Sequence, residues 1–260
     1  MDRRVALVLA PVVSFLSAGG CKPKSSEPIR VAAAADLAHA FDELKPAFSA
    51  KNRSEVTVTI GSSGLLAKQI DEGAPFDLFL AANTSYVDQV VKAGSCDGAT
   101  EHTYARGRLV IWVKGADGAR LSIGALAEPR FKRVAIANPE HAPYGAAARD
   151  ALTKAGLWSQ VSERIVYGEN VQQTLELAKT GNADAAIVGL SLALAQPVGS
   201  WALVDEASYA PIDQALAVCT HGGNTAGGRK LAEFLNAPEG RAILRKYGFL
   251  LPGEAVAKVP

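Results

Sequence analysis

Short apolar runs alternate with longer amphipathic segments along most of the chain. In the first block, the apolar runs predict strands at 29–35, 55–61 and 76–82, and the amphipathic segments predict helices at about 37–50, 63–72 and 85–94. The run at 107–114 predicts a further strand. The pattern then restarts after the glycine-containing stretch "GADGAR".

The second block has the same alternation of short and long segments. Its apolar runs predict strands at 133–139, 162–168, 183–189 and 214–220, and its helical segments lie at 145–156 and 171–181, with a helical pair at 227–249. Such alternation is typical of an α/β fold with mostly parallel sheets. The strand at 107–114 would lead from the first block to the second, and the strand at 214–220 would return to the first. The sequence therefore predicts two lobes, with the second inserted in the first and a ligand cleft between them.

The first 21 residues have the features of a targeting segment. A basic start, "MDRR", precedes an apolar run of 12 residues and the small residues "SAGGC". That run is shorter than the roughly 20 residues of a membrane-spanning helix. We therefore predict a signal peptide over 1–21, a polar tether over 22–28, one lobe from 29–112 and 213–260, and a second lobe from 113–212. Lipidation at Cys21 and plain cleavage both remain open, because Ala18 stands where lipoprotein signals usually carry Leu.

Composition narrows the class of protein. The chain has 27 Lys and Arg against 26 Asp and Glu, so no strong basic excess suggests nucleic-acid binding. Outside the signal, the cysteines are Cys96 and Cys219. In an oxidising compartment they can form one disulfide or remain two buried thiols, and the sequence leaves both possibilities open.

Four predicted helices begin just after a strand ends, at Asp36, Ser63, Tyr144 and Val171. The first turn of a helix has about four unpaired N–H groups and a partial positive charge, so it attracts anions. The hydroxyl groups of Ser62, Ser63 and Tyr144 add further donors. If the four helix starts converge, they can hold a dianion without Lys or Arg. Taken alone, each serine is as well explained by ordinary helix capping.

Several long motifs resemble the periplasmic molybdate-binding proteins of ABC importers. They are "GSSGLLAKQIDEGAPFDLFLAAN", "YARGRLVIWVKGAD", "VAIANPEHAPYGAAARDALTKAGLW", "GENVQQTLELAKTGNADAAIV" and "RAILRKYGF". The resemblance runs from about 29 to 250. It implies the type II periplasmic-binding-protein fold, in which two α/β lobes close on one tetrahedral oxyanion, molybdate or tungstate. It implies no cofactor, and the metal reaches the site only as the centre of the oxyanion.

The resemblance also implies a ligand set. The family's donor positions carry over to Ala35, Asp36, Ser62, Ser63, Tyr144 and Val171. Two positions depart from the family: Ala35 has no hydroxyl, and Gly189 stands where one branch has a ligand tyrosine. The tyrosine at position 144 groups this chain with the other branch.

Asp36 is the unusual member of this set. An ionised carboxylate within about 4 Å of a dianion would be repelled by several kcal/mol at the intermediate dielectric of a cleft. Either Asp36 caps its own helix through the N–H groups of Leu37 to His39, which we expect, or the ligand brings a proton for it to accept. The second possibility would favour phosphate or arsenate.

Other classes of function are less well supported by the sequence. His39, His102, His141 and His221 lack the spacing of a metal site. "GLSLA" lacks the second glycine of a nucleophile elbow, and the glycine-rich stretches lack a phosphate-loop order, so we expect no catalysis. We expect a monomer outside the cytoplasm, anchored through Cys21, that docks on an importer permease. A role as an oxyanion-sensing receptor component remains an alternative.

Overall fold

The computed structural model describes residues 27–115 and 121–254. The predicted signal peptide with Cys21 and most of the tether lie outside the described residues. In the described part, no helix is both long and apolar enough to cross a membrane.

The chain begins with strands and helices of the first lobe. They are β1 (Ile29–Ala34), a 3₁₀ turn (Ala35–Leu37), α1 (Ala38–Asn52), β2 (Val56–Gly61), α2 (Ser63–Asp71), β3 (Leu78–Ala81), α3 (Thr84–Lys92) and β4 (Cys96–Gly107). Gly94 follows α3 with a φ of +79°, a left-handed conformation common just after a helix end.

The second lobe follows without a long connection. Its elements are β5 (Leu109–Val113), β6 (Val134–Ala137), α4 (Pro143–Lys154), α5 (Trp158–Val161), β7 (Ile165–Gly168), α6 (Val171–Lys179), β8 (Ala185–Gly189), α7 (Leu190–Leu194) and β9 (Ser200–Leu203). The chain then returns to the first lobe through β10 (Ile212–Cys219), α8 (Thr225–Asn236) and α9 (Pro238–Lys246).

Each lobe is built on one five-stranded mixed sheet. The first sheet has the order β2-β1-β3-β10-β4, and the second has the order β7-β6-β8-β5-β9. In the first, β1 is parallel to β2 and β3, whereas β10 is antiparallel to β3 and β4. In the second, β6 is parallel to β7 and β8, whereas β5 is antiparallel to β8 and β9. The α/β fold with two mixed sheets agrees with the sequence analysis.

The crossing between lobes differs from the predicted boundary. Residues 109–113 form β5, which pairs with β8 and β9 of the second sheet, although the sequence analysis kept residues up to 112 in the first lobe. The chain therefore leaves the first lobe at Arg108. A single apolar run at 107–114 does not reveal which sheet supplies its partners, because pairing depends on distant strands.

Two strands were not predicted from the sequence. β4 has 12 residues, many of them polar, and it forms an edge of the first sheet with irregular register against β10. β9 forms an edge of the second sheet. Edge strands are partly exposed, so they lack the continuous apolar runs that mark the buried strands β1, β3, β5, β6 and β8.

A disulfide joins β4 to β10 at one end of their pairing. Cys96 is the first residue of β4, Cys219 is the last residue of β10, and the two are register partners with sulfur atoms 2.13 Å apart. Both cysteines are buried. The bond links the departing and returning segments of the first lobe across 123 residues of chain.

Candidate functional site

A small cavity lies between the two lobes, where several strands end and helices begin. The space inside it that is open to a water-sized sphere is about 10 Å³, far below the roughly 300–1,000 Å³ of sites for organic ligands. The lining residues are Ala34, Ala35, Asp36, Gly61, Ser62, Ser63, Ala82, Ala142, Pro143, Tyr144, Asn170 and Val171. All six residues of the predicted ligand set are therefore brought together here. That they bind a ligand stays a prediction.

Three of the four helical segments that begin at the cavity have no side-chain cap. The residues before the 3₁₀ turn, α2 and α4 are Ala34, Ser62 and Ala142, and none of their side chains bonds a backbone N–H of the first turn. Asn170 does cap α6, by accepting from the N–H groups of Gln172 and Gln173. Uncapped first turns leave N–H donors and a partial positive charge directed at the cavity, which suits an anion.

Ser63 has a hydroxyl group that is available for a ligand. It is buried, and its Oγ accepts a hydrogen bond from the N–H of Ala82 at 3.0 Å. A hydroxyl that accepts in this way still has its own proton to donate. The capping role that would explain Ser63 without a ligand is not seen, because no side chain caps α2.

Ser62 has a different role from its neighbour. Its Oγ donates to the carbonyl oxygen of His141 at 2.5 Å and lies 2.8 Å from Nδ1 of the same residue. The N–H of Gly64 also donates to the His141 carbonyl, at 2.9 Å. These bonds join the first lobe to the second at the margin of the cavity. Ser62 therefore holds the lobes together, and its proton is already used.

Asp36 does not form the expected helix cap. The Tyr144 hydroxyl donates to its Oδ2 at 2.9 Å, and Nε2 of Gln214 donates to the same oxygen. No side-chain cap is present at the start of the 3₁₀ turn or of α1. The expectation of capping is wrong because a phenol of the second lobe and an amide of β10 bind the carboxylate instead. The other oxygen, Oδ1, is buried without a hydrogen-bond partner among the described residues.

Burial dominates the electrostatics of this carboxyl group. Loss of hydration raises the pKa of Asp36 from 3.8 to about 6, although hydrogen bonds from Gln214, Tyr144 and its own backbone N–H act in the opposite direction. Burial likewise raises the pKa of Tyr144 and of Tyr104 well above the usual value, and the nearby Asp36 adds to both shifts. Both phenols are therefore neutral donors at physiological pH.

Gln214 and Tyr104 are site residues that the sequence analysis missed. Tyr104 donates its hydroxyl to Oε1 of Gln214 at 2.7 Å, which orients the amide so that Nε2 faces Asp36. Both residues are buried. A lone glutamine in the apolar run "QALAVC" was a signal of this role, because a buried polar side chain needs partners.

Two glycines make room for the tyrosine at position 144. A Cβ atom at Gly107 would lie 2.0 Å from the Tyr144 hydroxyl, and one at Gly189 would lie 3.1 Å from its ring. A ligand tyrosine at position 189 and one at position 144 would therefore compete for the same space. This explains in physical terms why Gly189 accompanies Tyr144 in this chain.

The cavity contains no cationic side chain. Among the described residues, none that lines the cavity is Lys, Arg or His, and the ionisable groups of this lining are the Asp36 carboxyl and the Tyr144 phenol. In the described residues, no group of three or more His, Cys, Asp or Glu side chains is arranged to hold a metal ion. The arrangement fits an anion held by neutral donors.

Comparison with known proteins identifies the family. The model of the family described as "Bacterial extracellular solute-binding protein" matches residues 29–250. The chain belongs to this family. The match confirms the resemblance at the level of family, and family membership assigns this protein to solute binding outside the cytoplasm.

Individual relatives agree with this assignment. The chain is 35% identical to the molybdate-binding protein ModA of Rhodobacter capsulatus over 229 residues, which cover 88% of this chain and 90% of that protein. It superposes on the periplasmic molybdate-binding protein of Azotobacter vinelandii with a TM-score of 0.82 at 29% identity, covering 86% of this chain and 99% of that one. The two-lobe periplasmic-binding-protein fold is thereby confirmed.

A more distant structure shares the fold alone. The sulfate-binding protein SubI of Mycobacterium tuberculosis superposes with a TM-score of 0.76 at 17% identity, covering 88% of both chains. The same architecture therefore accommodates different oxyanions. Specificity must come from the residues that line the cavity.

Proposed function

We propose that this protein captures a tetrahedral oxyanion, molybdate or tungstate, in the cavity between its lobes and delivers it to an ABC importer. The observation that carries the proposal is a small buried cavity that is lined by uncapped helix starts and the Ser63 hydroxyl, with no cationic side chain among the described residues of its lining. The relatives named as molybdate-binding proteins supply the choice of ion.

Uncharged hydrogen-bond donors can bind a small dianion and still allow its release. Backbone N–H groups and the Ser63 hydroxyl provide hydrogen bonds in a fixed geometry, whereas a buried Lys or Arg would add a strong charge pair. A smaller anion such as sulfate would leave some of these buried donors unpaired, and each unpaired donor costs about 1–3 kcal/mol. Selection among oxyanions then depends on cavity size and donor number.

The cellular partners follow from the same proposal. The form closed around the ion docks on the importer permease, and the protein acts as a monomer attached to a membrane through lipid on Cys21. A sensing receptor in place of the permease would need the same cavity. Mass spectrometry of the protein from a membrane fraction would test the lipid on Cys21, since an unmodified cleaved N-terminus contradicts the anchor.

A second candidate ligand has one observation in its favour. Oδ1 of Asp36 is buried in the cavity region without a partner among the described residues, so it can accept a proton from hydrogen phosphate or hydrogen arsenate. Molybdate remains the first choice because the relatives named as molybdate-binding proteins match most of this chain.

Isothermal titration of residues 22–260 tests these alternatives. We expect tight binding of molybdate and tungstate at pH 7.5, with sulfate, phosphate and arsenate binding far more weakly. Preferential binding of phosphate or arsenate would replace the molybdate proposal with the second candidate. No binding of any of the five ions to the folded protein would reject an oxyanion function.

A further inference from the structure

The hydrogen bonds to Asp36 are distributed unequally between its two oxygens. Both side-chain donors, the Tyr144 hydroxyl and the Gln214 amide, bind Oδ2, while Oδ1 has no partner in the described part of the chain. Only 1% of the residue is exposed, and it lines the cavity. A proton on this carboxyl group would therefore reside on Oδ1, the oxygen that no other donor occupies.

We propose that Asp36 is a neutral acid in the ligand complex, so that capture of a dianionic oxyanion is coupled to the uptake of one proton on Oδ1. The inference rests on the proposed function, because it takes the cavity as the oxyanion site. The proton comes from the solvent, bonds to Oδ1, and points the resulting O–H at an oxygen of the anion. Asp36 changes from a repelling charge into one more neutral donor.

The described side chains that line the cavity include no cation beside Asp36, and the His141 imidazole is bonded to Ser62 at the cavity margin without lining the cavity. From α4 and β4 the nearest titratable groups are phenols, Tyr144 directly and Tyr104 through Gln214, and Tyr209 lies close to Tyr144. Burial raises the pKa of all three phenols. From α7, the Ser191 hydroxyl donates to the Asp36 carbonyl, and its hydroxyl is neutral.

The remaining elements packed against the 3₁₀ turn also contribute no cation at the carboxyl group. β2 ends at Gly61, and α6 brings Asn170 and Val171 to the cavity. On α1, His39 lies 3.5 Å from Asp42, with which it pairs on the surface side. No cationic group is among the causes of the shifted pKa of Asp36. Protonation is therefore the available route to neutrality beside a dianion.

The direction of the pH dependence follows from this coupling. In the free protein the pKa of Asp36 is about 6, and a bound dianion raises it further because two like charges in a buried site repel each other. Well below pH 6 the acid is already protonated in the free protein, so affinity is highest and constant there. As pH rises towards the pKa of the complex, affinity falls by up to about tenfold per unit.

Titration calorimetry with molybdate from pH 6 to 8.5, at constant ionic strength, tests the proposal. Using two buffers with different heats of ionisation also counts the protons taken up. We expect the affinity of the native protein to fall with a slope approaching tenfold per unit, and proton uptake to approach one per anion. Asp36→Asn keeps the shape and supplies a permanent N–H donor, so its affinity should be independent of pH, without proton uptake, and higher than native at pH 8.

A matched control separates this carboxyl group from general charge effects. Asp213 is adjacent to Gln214 in sequence, but its carboxylate pairs with Arg106 and does not line the cavity. Asp213→Asn removes the same charge, so it should retain the native pH profile and proton uptake. Circular dichroism on all three proteins confirms that each is folded.

Three results would overturn the proposal. One is native binding of molybdate with a flat pH profile and no proton uptake, and another is an Asp36→Asn profile as steep as the native one. The third is loss of all binding in folded Asp36→Asn, which would make the carboxylate an obligatory acceptor. If the native protein binds neither molybdate nor tungstate, the proposed function fails instead, and the same pH series with phosphate and arsenate decides the role of Asp36.

Discussion

Asp36 is a buried acid in a site whose other donors are neutral, and its cost to the folded protein can be measured without any ligand. Burial raises its pKa from 3.8 to about 6, so the folded state favours the protonated form. A shift of this size corresponds to about 3 kcal/mol between the two protonation states. The residue thus links the stability of the protein to pH as well as to ligand binding.

The sign of that linkage gives the first prediction. Because the folded-state pKa is the higher one, the neutral acid stabilises the fold fully below about pH 3.8, and this stabilisation is lost as pH rises to about 6. The quantity to compare is the free energy of unfolding of Asp36→Asn minus that of the native protein. This difference should be greater at pH 7 than at pH 4, by up to about 3 kcal/mol. Urea unfolding at both pH values measures it, and a difference that does not change with pH contradicts it.

Ser63 gives the second prediction at this scale. Ser63→Ala removes the hydroxyl that faces the cavity and leaves an oxyanion with one donor fewer, so binding should weaken by about 1–3 kcal/mol. Ser54→Ala is the matched control, because Ser54 bonds only the nearby carbonyl of Asn52 at the surface. Titration calorimetry compares the two. An unchanged affinity in Ser63→Ala would remove this residue from the site.

At the scale of elements, the site is made of helix starts. α2, α4 and the 3₁₀ turn before α1 begin at the cavity without side-chain caps, whereas α6, which also begins there, is capped by Asn170. An uncapped start forgoes about 1 kcal/mol of helix stability. Leaving these starts uncapped keeps their N–H groups for a ligand.

The pairing of β4 with β10 carries the third prediction. The Cys96–Cys219 disulfide closes a loop of 123 residues that contains the whole second lobe, so reducing it should lower the free energy of unfolding by about 2–5 kcal/mol. Guanidinium unfolding with and without a reductant measures the effect. In a Cys96→Ala, Cys219→Ala double variant, the reductant should change nothing. Equal stability of the oxidised and reduced native protein would contradict the prediction.

At the scale of the whole molecule, hydrogen bonds cross the cleft at several places. Tyr144 of the second lobe donates to Asp36 of the first, Ser62 donates to the His141 carbonyl, and Ser191 donates to the Asp36 carbonyl. The crossing segments at Arg108 and β10 connect the same lobes covalently. A ligand between the lobes adds bonds to both, so it should stabilise the molecule as a unit.

Ligand-dependent stability is the fourth prediction. A ligand that binds only the folded protein, present at about 100 times its Kd, should raise the free energy of unfolding by about 2.7 kcal/mol. We expect this increase with molybdate and with tungstate, measured by denaturant unfolding at pH 6.5. Sulfate at the same concentration is the control. An equal increase with sulfate would show that the stabilisation is a general salt effect.

The sequence by itself determined the α/β class and the two blocks of strands and helices, and its resemblance to molybdate-binding proteins implied six of the twelve residues that line the cavity. It did so because buried strands and amphipathic helices leave local patterns, and because residues such as Ser63 and Val171 follow strand ends directly. Pairing partners leave no such pattern. The edge strand β4, the crossing at Arg108 and the second-lobe position of β5 were therefore decided by contacts between distant segments.

The role of Asp36 was likewise decided only by the tertiary structure. From the chain, a carboxylate at a helix start is an ordinary cap. The fold instead places it against Tyr144, 108 residues away, and Gln214, 178 residues away. These partners withdraw the carboxyl group from water and from its own helix at once. Its charge state therefore depends on contacts between the two lobes, which form only in the folded molecule. No local pattern of residues encodes these contacts.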